Sequence, residues 1–170
     1  MNLLPQDVLV MLKLALSRQP DWTYNEIAYE LKMSPSMVYN AVKRAIHARL
    51  FVTHKKRPHK KALEEFLVHG VKYAFAAQIG TITRGVPTAF ASPGLRAHIQ
   101  FDSDEIYVWP HSNGSERGIE LLPLYKSVPE VSLVDARLYA ALSALDGIRV
   151  GRARERKMAI AALISILNEK

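Results

Sequence analysis

Apolar residues recur at helical spacing over residues 4–17, where Leu4, Val8, Met11, Leu12, Ala15 and Leu16 form one stripe and Pro20 stops the run. This predicts a first helix. Thr23 then precedes Glu26 in the pattern Thr-x-x-Glu, a capping box in which each side chain satisfies the other residue's free backbone N–H. A second helix therefore starts at Tyr24, turns Ile27, Ala28 and Leu31 inward, and ends near Lys32 and Met33. Ser34 as N-cap and Pro35 at the first helical position open a third helix over residues 35–49. Its inward stripe is Val38, Ala41, Val42, Ala45 and Ile46, which leaves Ser36, Tyr39, Asn40, Lys43 and Arg44 on exposed or flanking faces.

Leu50, Phe51 and Val52 form a short β-prone run, followed by a basic run over residues 54–61 with Pro58 as a candidate turn. No Asn-Gly or similar hairpin signal stands there, so any hairpin is short or absent. Helical spacing resumes at Ala62, with Leu63, Phe66, Leu67, Val71, Ala74 and Phe75 on one side. Gly70 inside that run marks a break or a close helix approach. Over residues 77–99 the closely spaced Gly80, Gly85, Pro87, Pro93 and Gly94 predict a long structured loop, from which Arg84 could reach a partner, a ligand or a minor groove. Residues 106–109 read as a strand, 111–118 as a polar turn and 119–122 as a second strand, together one hairpin. Two more helices are expected over residues 133–145 and 152–167, the first capped by Ser132 and ended by Asp146-Gly147. The second opens on Arg152, Arg154, Arg156 and Lys157, whose charge opposes the helix dipole and suggests an anionic partner. Its apolar stripe of Ala159, Ile160, Leu163, Ile164 and Leu167 serves either a dimer interface or the chain's own core.

Of the 170 residues, 49% are hydrophobic and 23% charged, the balance of an ordinary globular protein. The absence of cysteine removes disulfides, thiol nucleophiles and Cys-rich zinc sites, and agrees with a reducing compartment. Asp7 and Lys13 interrupt the first apolar run, which is not a signal peptide, and the uncharged residues 158–168 fall short of the about 20 that span a bilayer. A cytoplasmic location without a membrane is expected. The net charge of +7 is unevenly placed: residues 51–100 hold 8 basic and 2 acidic side chains, and residues 101–150 hold 4 and 8. Clustered positive potential is what polyanion binding requires, although any basic protein also has a solvated basic face.

A short helix, a tight turn and a second capped helix with a polar, basic outer face is the arrangement that enters a DNA major groove. Residues 23–45, TYNEIAYELKMSPSMVYNAVKRA, resemble the helix-turn-helix of winged-helix bacterial regulators of the MarR-like kind. With the first helix, the resemblance covers about a third of the chain. It implies a mainly α fold with a small β component, an N-terminal winged helix-turn-helix over residues 1–61 and a helical or mixed dimerisation and partner region over 62–170. It also implies that Pro35, Ser36, Tyr39 and Asn40 meet base edges and that Lys43 and Arg44 meet phosphate. Asn40 suits adenine N6 and N7. Lys55, Lys56, Arg57, Lys60 and Lys61 stand where a wing would lie along the backbone. One departure is Met33, in a turn where the family often has glycine, so either its φ is uncommon or the turn differs.

The resulting expectation is a homodimeric, sequence-specific double-stranded DNA-binding regulator, an autoregulating repressor without catalysis, cofactor or metal. The rival is an antitoxin-like or adaptor protein that grips another protein through residues 77–170. A third reading uses Asp102, Asp104 and Glu105 to hold magnesium, but the Gly-Ser lead of a nucleotidyltransferase is missing and a solvated acidic turn is favoured. His54 and His59 lack the cysteine or carboxylate partners of a metal site.

Overall fold

The computed structural model describes residues 1–97 and 106–170. The acidic triplet Asp102, Asp104 and Glu105 lies outside the described residues, as does the end of the stretch read as a long loop. The fold is mainly helical with two small sheets.

Three helices come first: α1 (Pro5–Leu16), α2 (Tyr24–Leu31) and α3 (Pro35–His47). The caps form as the sequence dictates. Thr23 Oγ1 accepts from the Glu26 N–H at 3.2 Å while Glu26 Oε2 accepts from the Thr23 N–H at 2.8 Å, and Ser34 Oγ accepts from the Met37 N–H at 3.2 Å. The turn differs from expectation. Lys32, not Met33, takes the left-handed conformation, at φ 53°, and the N–H groups of Lys32 and Met33 return to the Ala28 carbonyl. This is the helix-ending motif that glycine usually supplies, here made by a lysine.

α1 is buried nearly all round rather than along one stripe, with Val8, Leu9, Val10, Met11, Leu12, Leu14 and Leu16 inside. A helix apolar on every side must be covered on every side. α2 and α3 pack against it from one direction and a helix of the second half, α8 (Ala136–Val150), from another. Leu9, Leu12 and Leu31 accordingly share one core with Leu138, Leu142 and Leu163.

After α3 the chain makes a two-stranded antiparallel hairpin, β1 (Phe51–Val52) with β2 (Arg57–Pro58), pairing Phe51 with Pro58 and Val52 with Arg57. The turn is not at Pro58. A 3-10 turn over Thr53–Lys55 and a left-handed Lys56 reverse the chain, leaving Pro58 in the second strand. Next come α4 (Lys60–Glu65), a π-helical turn (Phe66–Gly70) and α5 (Val71–Ala74). Gly70 ends the π turn but does not break the helical run, which continues into α5, and a Cβ there would stand 2.6 Å from the ring of Phe66 in the same run rather than from a second helix.

The first half of the predicted loop contains a strand. β3 (Ile79–Thr88) runs ten residues and pairs antiparallel with β4 (Tyr107–Pro110) through its C-terminal part and with β5 (Glu116–Leu121) through the rest. β4 and β5 are parallel to each other, not the two arms of a hairpin, and the three strands close on themselves. Gly85 explains how: it pairs with both Pro110 and Glu116, and a Cβ on it would stand 2.0 Å from the Trp109 carbonyl oxygen. The glycine that looked like a strand breaker is where the backbones approach most closely. A 3-10 turn (Ala89–Ala91) and α6 (Pro93–Arg96) follow β3.

The C-terminal helices are α7 (Val128–Ser132), α8 and α9 (Ala153–Asn168). Asp135, not Ser132, caps α8 by accepting from the Leu138 N–H at 3.0 Å. α8 does not end at Asp146-Gly147 but passes through both to Val150. At Gly147 a Cβ would lie 2.9 Å from that of Ala159, so the missing side chain lets α9 pack closely on α8. Of the apolar stripe of α9, Ala159 and Leu163 are fully buried in the chain's own core, while Ile160, Ile164 and Leu167 are partly exposed.

Candidate nucleic-acid interface

Val38, Ala41, Val42 and Ala45 are buried and set the rotation of α3. Pro35, Ser36, Tyr39, Asn40 and Lys43 consequently stand exposed along its outer face. Ser34 Oγ and Ser36 Oγ lie 3.1 Å apart at its start. Tyr39 leans edge-on to Tyr24 at 5.5 Å between ring centroids, and Lys43 Nζ sits 5.8 Å from the Tyr39 ring centre. Ile46, assigned to the inward stripe, is 38% exposed because α3 turns it toward the hairpin rather than into the core.

Arg44 is elsewhere. Its guanidinium donates through Nε and Nη2 to the two oxygens of Asp7, at 2.8 and 2.7 Å, and Asp7 is 1% exposed. The same carboxylate accepts from the Leu4 N–H at 2.8 Å, so one buried charge caps α1 and anchors α3. Hydrogen bonding to Asp7 raises the Arg44 pKa against the opposing effect of burial. A guanidinium held at two points is not free to meet phosphate, which removes Arg44 from the proposed set of phosphate-binding cations.

The hairpin is pinned to this face by aromatic side chains. Trp22 Nε1 donates to the Lys56 carbonyl at 2.9 Å, and the Trp22 ring meets Tyr24 and Phe51 edge-on at 5.3 and 6.3 Å. Lys55, Lys56 and Arg57 are all exposed. Lys56 borders a cleft shared with α3, whereas Arg57 and Lys60 border a separate cavity with Leu14, Ala15 and Leu167, where the hairpin meets α1 and α9. Lys60 and Lys61 open α4, beyond His59, whose Nδ1 accepts from the Ala62 N–H at 3.2 Å. The basic run is therefore split between two sides of the hairpin. Between Glu30 and Glu64 the sequence has no acidic residue, although Glu64 and Glu65 stand one turn after Lys60 and Lys61 on α4.

Three ionic arrangements were not read from the sequence. Besides Asp7–Arg44, Lys13 joins Glu30 of α2 at 2.6 Å and Asp135 of α8 at 2.7 Å. Burial is the largest single influence on both Lys13 and Asp135 and opposes their charge, but hydrogen bonds and neighbouring charges together outweigh it, raising the lysine pKa and lowering that of the aspartate. Asp146 is buried, accepting from Thr88 Oγ1 at 2.7 Å, Trp109 Nε1 at 2.8 Å and Arg149 Nη1 at 2.8 Å. Burial pushes its pKa up, against the charge of Arg149. Arg149 also donates to the carbonyls of Phe75 and Ala76. A lone charge inside an apolar helical run was the available signal for both Asp7 and Asp146. Of the basic opening of α9, Arg156 donates to the Ile148 and Gly151 carbonyls that end α8, while Arg152, Arg154 and Lys157 are exposed.

Among the described residues no cluster of three metal-ligating side chains occurs, and no helix is long and apolar enough to cross a membrane. No protein-family model, curated protein or solved structure matches the chain.

Proposed function

We propose that this chain is a sequence-specific double-stranded DNA-binding regulator of the winged helix-turn-helix kind, acting as a homodimer and repressing its own gene. The observation that carries the reading is the outer face of α3. Ser36, Tyr39, Asn40 and Lys43 are exposed together on a helix whose opposite face is locked by core residues, and a pinned basic hairpin stands next to it. A rigid polar helix flanked by exposed cations supplies both base-edge chemistry and phosphate attraction.

The test is fluorescence anisotropy of the purified chain with duplex from immediately upstream of its own gene and with random duplex, at several salt concentrations. Tighter, saturable binding to the upstream duplex is expected. Equal, weak binding to both that salt erases would leave only a polyanion surface.

A second reading is favoured by where large apolar side chains are exposed. Ile79, Ile82, Leu133 and Val134, all within residues 77–170, are each more than half exposed, as are Met1, Tyr29 and Tyr73 outside that region. A region that grips another protein, in an antitoxin-like or adaptor role, would use such side chains. It predicts a stable complex with that protein whose formation survives loss of Asn40.

A further inference from the structure

Between α3, the start of α2 and the hairpin lies a cleft of about 350 Å³. It is lined by Trp22 and Tyr24, by Val42 and Ile46 of α3, and by Phe51 and Lys56 of the hairpin, with the Trp22 ring edge-on to both Tyr24 and Phe51. The volume is that of a small-molecule site, and apolar lining with few polar groups is the usual composition of one. The Trp22 indole N–H is engaged by the Lys56 carbonyl, so the tryptophan offers its ring and not its donor. Thr23 and Thr53 also line the cleft, the Thr23 hydroxyl oxygen accepting from the Glu26 N–H.

Charge narrows the choice of occupant. Lys56 is exposed, Lys43 lies between Val42 and Ile46 on α3 with its Nζ 5.8 Å from the Tyr39 ring centre, and no acidic residue lies between Glu30 and Glu64. Of the two carboxylates nearest in the sequence, Glu26 is turned onto the Thr23 N–H, and Asp21, next to Trp22, is exposed. An aromatic-walled slot with a cation at one end fits a planar ring joined to an anionic group. Aromatic rings beside a positive track are also how proteins hold unpaired bases.

We propose that this cleft binds a nucleotide, its base lodged between the Trp22 and Tyr24 rings and Ile46, and its phosphate at Lys56. The nucleotide comes either free from solution or from an unpaired position of a strand. This site does not require that paired duplex bind α3.

Trp22 reports on it directly. Trp109 is 1% exposed and holds its N–H against Asp146, so quenching by an added base comes from Trp22. The full chain is titrated with adenosine and thymidine monophosphates, a short single-stranded deoxyoligonucleotide, a blunt fully paired duplex and pyrophosphate. Saturable quenching by the monophosphates, weakened at least tenfold by both Ile46→Asn and Lys56→Ala, supports a free nucleotide as occupant. The same pattern with the single strand alone supports an unpaired base of a strand. Both side chains are exposed, so both variants should fold, and their circular dichroism should match that of the parent chain. No saturable quenching by monophosphate or single strand, equal quenching by pyrophosphate, or quenching unchanged in both variants overturns the proposal. Duplex binding that fails while monophosphate quenching persists would count against the duplex reading alone.

Discussion

Arg44 closes a two-point pair with Asp7 at 2.8 and 2.7 Å, so the polar residue that seemed to belong to the outer face of α3 instead fixes that helix to α1. The two partners differ in their access to water: the Asp7 side chain is 1% exposed and that of Arg44 17%. Removing the arginine strands a carboxylate with no route to solvent, and breaking such a pair costs about 3–5 kcal/mol. Asp7→Asn should cost less, because the guanidinium can turn outward. Urea unfolding followed by circular dichroism should rank Arg44→Ala below Asp7→Asn, and an inverted order would mean that the carboxylate is not the trapped partner.

At Asp146, asparagine could still accept from Thr88 and Trp109. It would turn an N–H₂ toward Arg149, whose side chain is 4% exposed. Asp146→Asn should therefore destabilise the chain by about 3 kcal/mol, and Thr88→Val, which removes one donor, by about 1 kcal/mol. Thermal unfolding of both variants gives the comparison.

The Lys13 junction makes stability depend on pH at both extremes. Asp135 has a lowered pKa, so its contribution is complete above the ordinary carboxylate value and is lost as pH falls through the lowered one. Lys13 has a raised pKa, so the contribution is complete below the ordinary lysine value and is lost as pH rises through the raised one. The raised pKa of Asp146 acts in the opposite sense in acid, where protonation relieves a buried charge and favours the folded chain. Lys13→Met should cost about 1 kcal/mol at neutral pH. In urea titrations the difference from the parent chain should stay flat through neutrality and shrink below about pH 4 and above about pH 10.5. A difference constant across that range would show that the variant removed packing rather than charge.

On DNA, Asn40→Ala should lower the preference for the upstream duplex by about 1–3 kcal/mol while leaving random-duplex binding nearly unchanged. Changing Lys55, Lys56 and Arg57 together to Ala should weaken both. It should also flatten the slope of log K against log salt by up to about 3 per chain, roughly 0.9 for each phosphate that is no longer neutralised. Anisotropy titrations separate the two effects, and equal losses on both duplexes for Asn40→Ala would remove its base-reading role.

Local chemistry near the chain's own backbone was legible in advance. The Thr23–Glu26 box and the Ser34-Pro35 start involve residues at most three apart, so their spacing alone fixes the helix starts. What failed depended on distant partners. Gly80, Gly85 and Pro87 look like breakers until β4 and β5 close around them. Asp146-Gly147 looks like a helix end until Thr88, Trp109 and Arg149 bind the carboxylate and Ala159 fills the space over the glycine. In the candidate site, exposure of Ser36, Tyr39, Asn40 and Lys43 followed from periodicity, but Arg44 could be placed only once Asp7, buried in another helix, was seen opposite it.

Because α1 packs against both α3 and α8 and is buried nearly all round, a single helix joins the cores of both halves of the sequence. Nothing in that layout works as a tether on which α3 could swivel. If two copies sit on one stretch of DNA, any adjustment of the distance between their α3 helices has to be made at the seam between the copies. Tolerance to half-site spacing would then measure the stiffness of that seam.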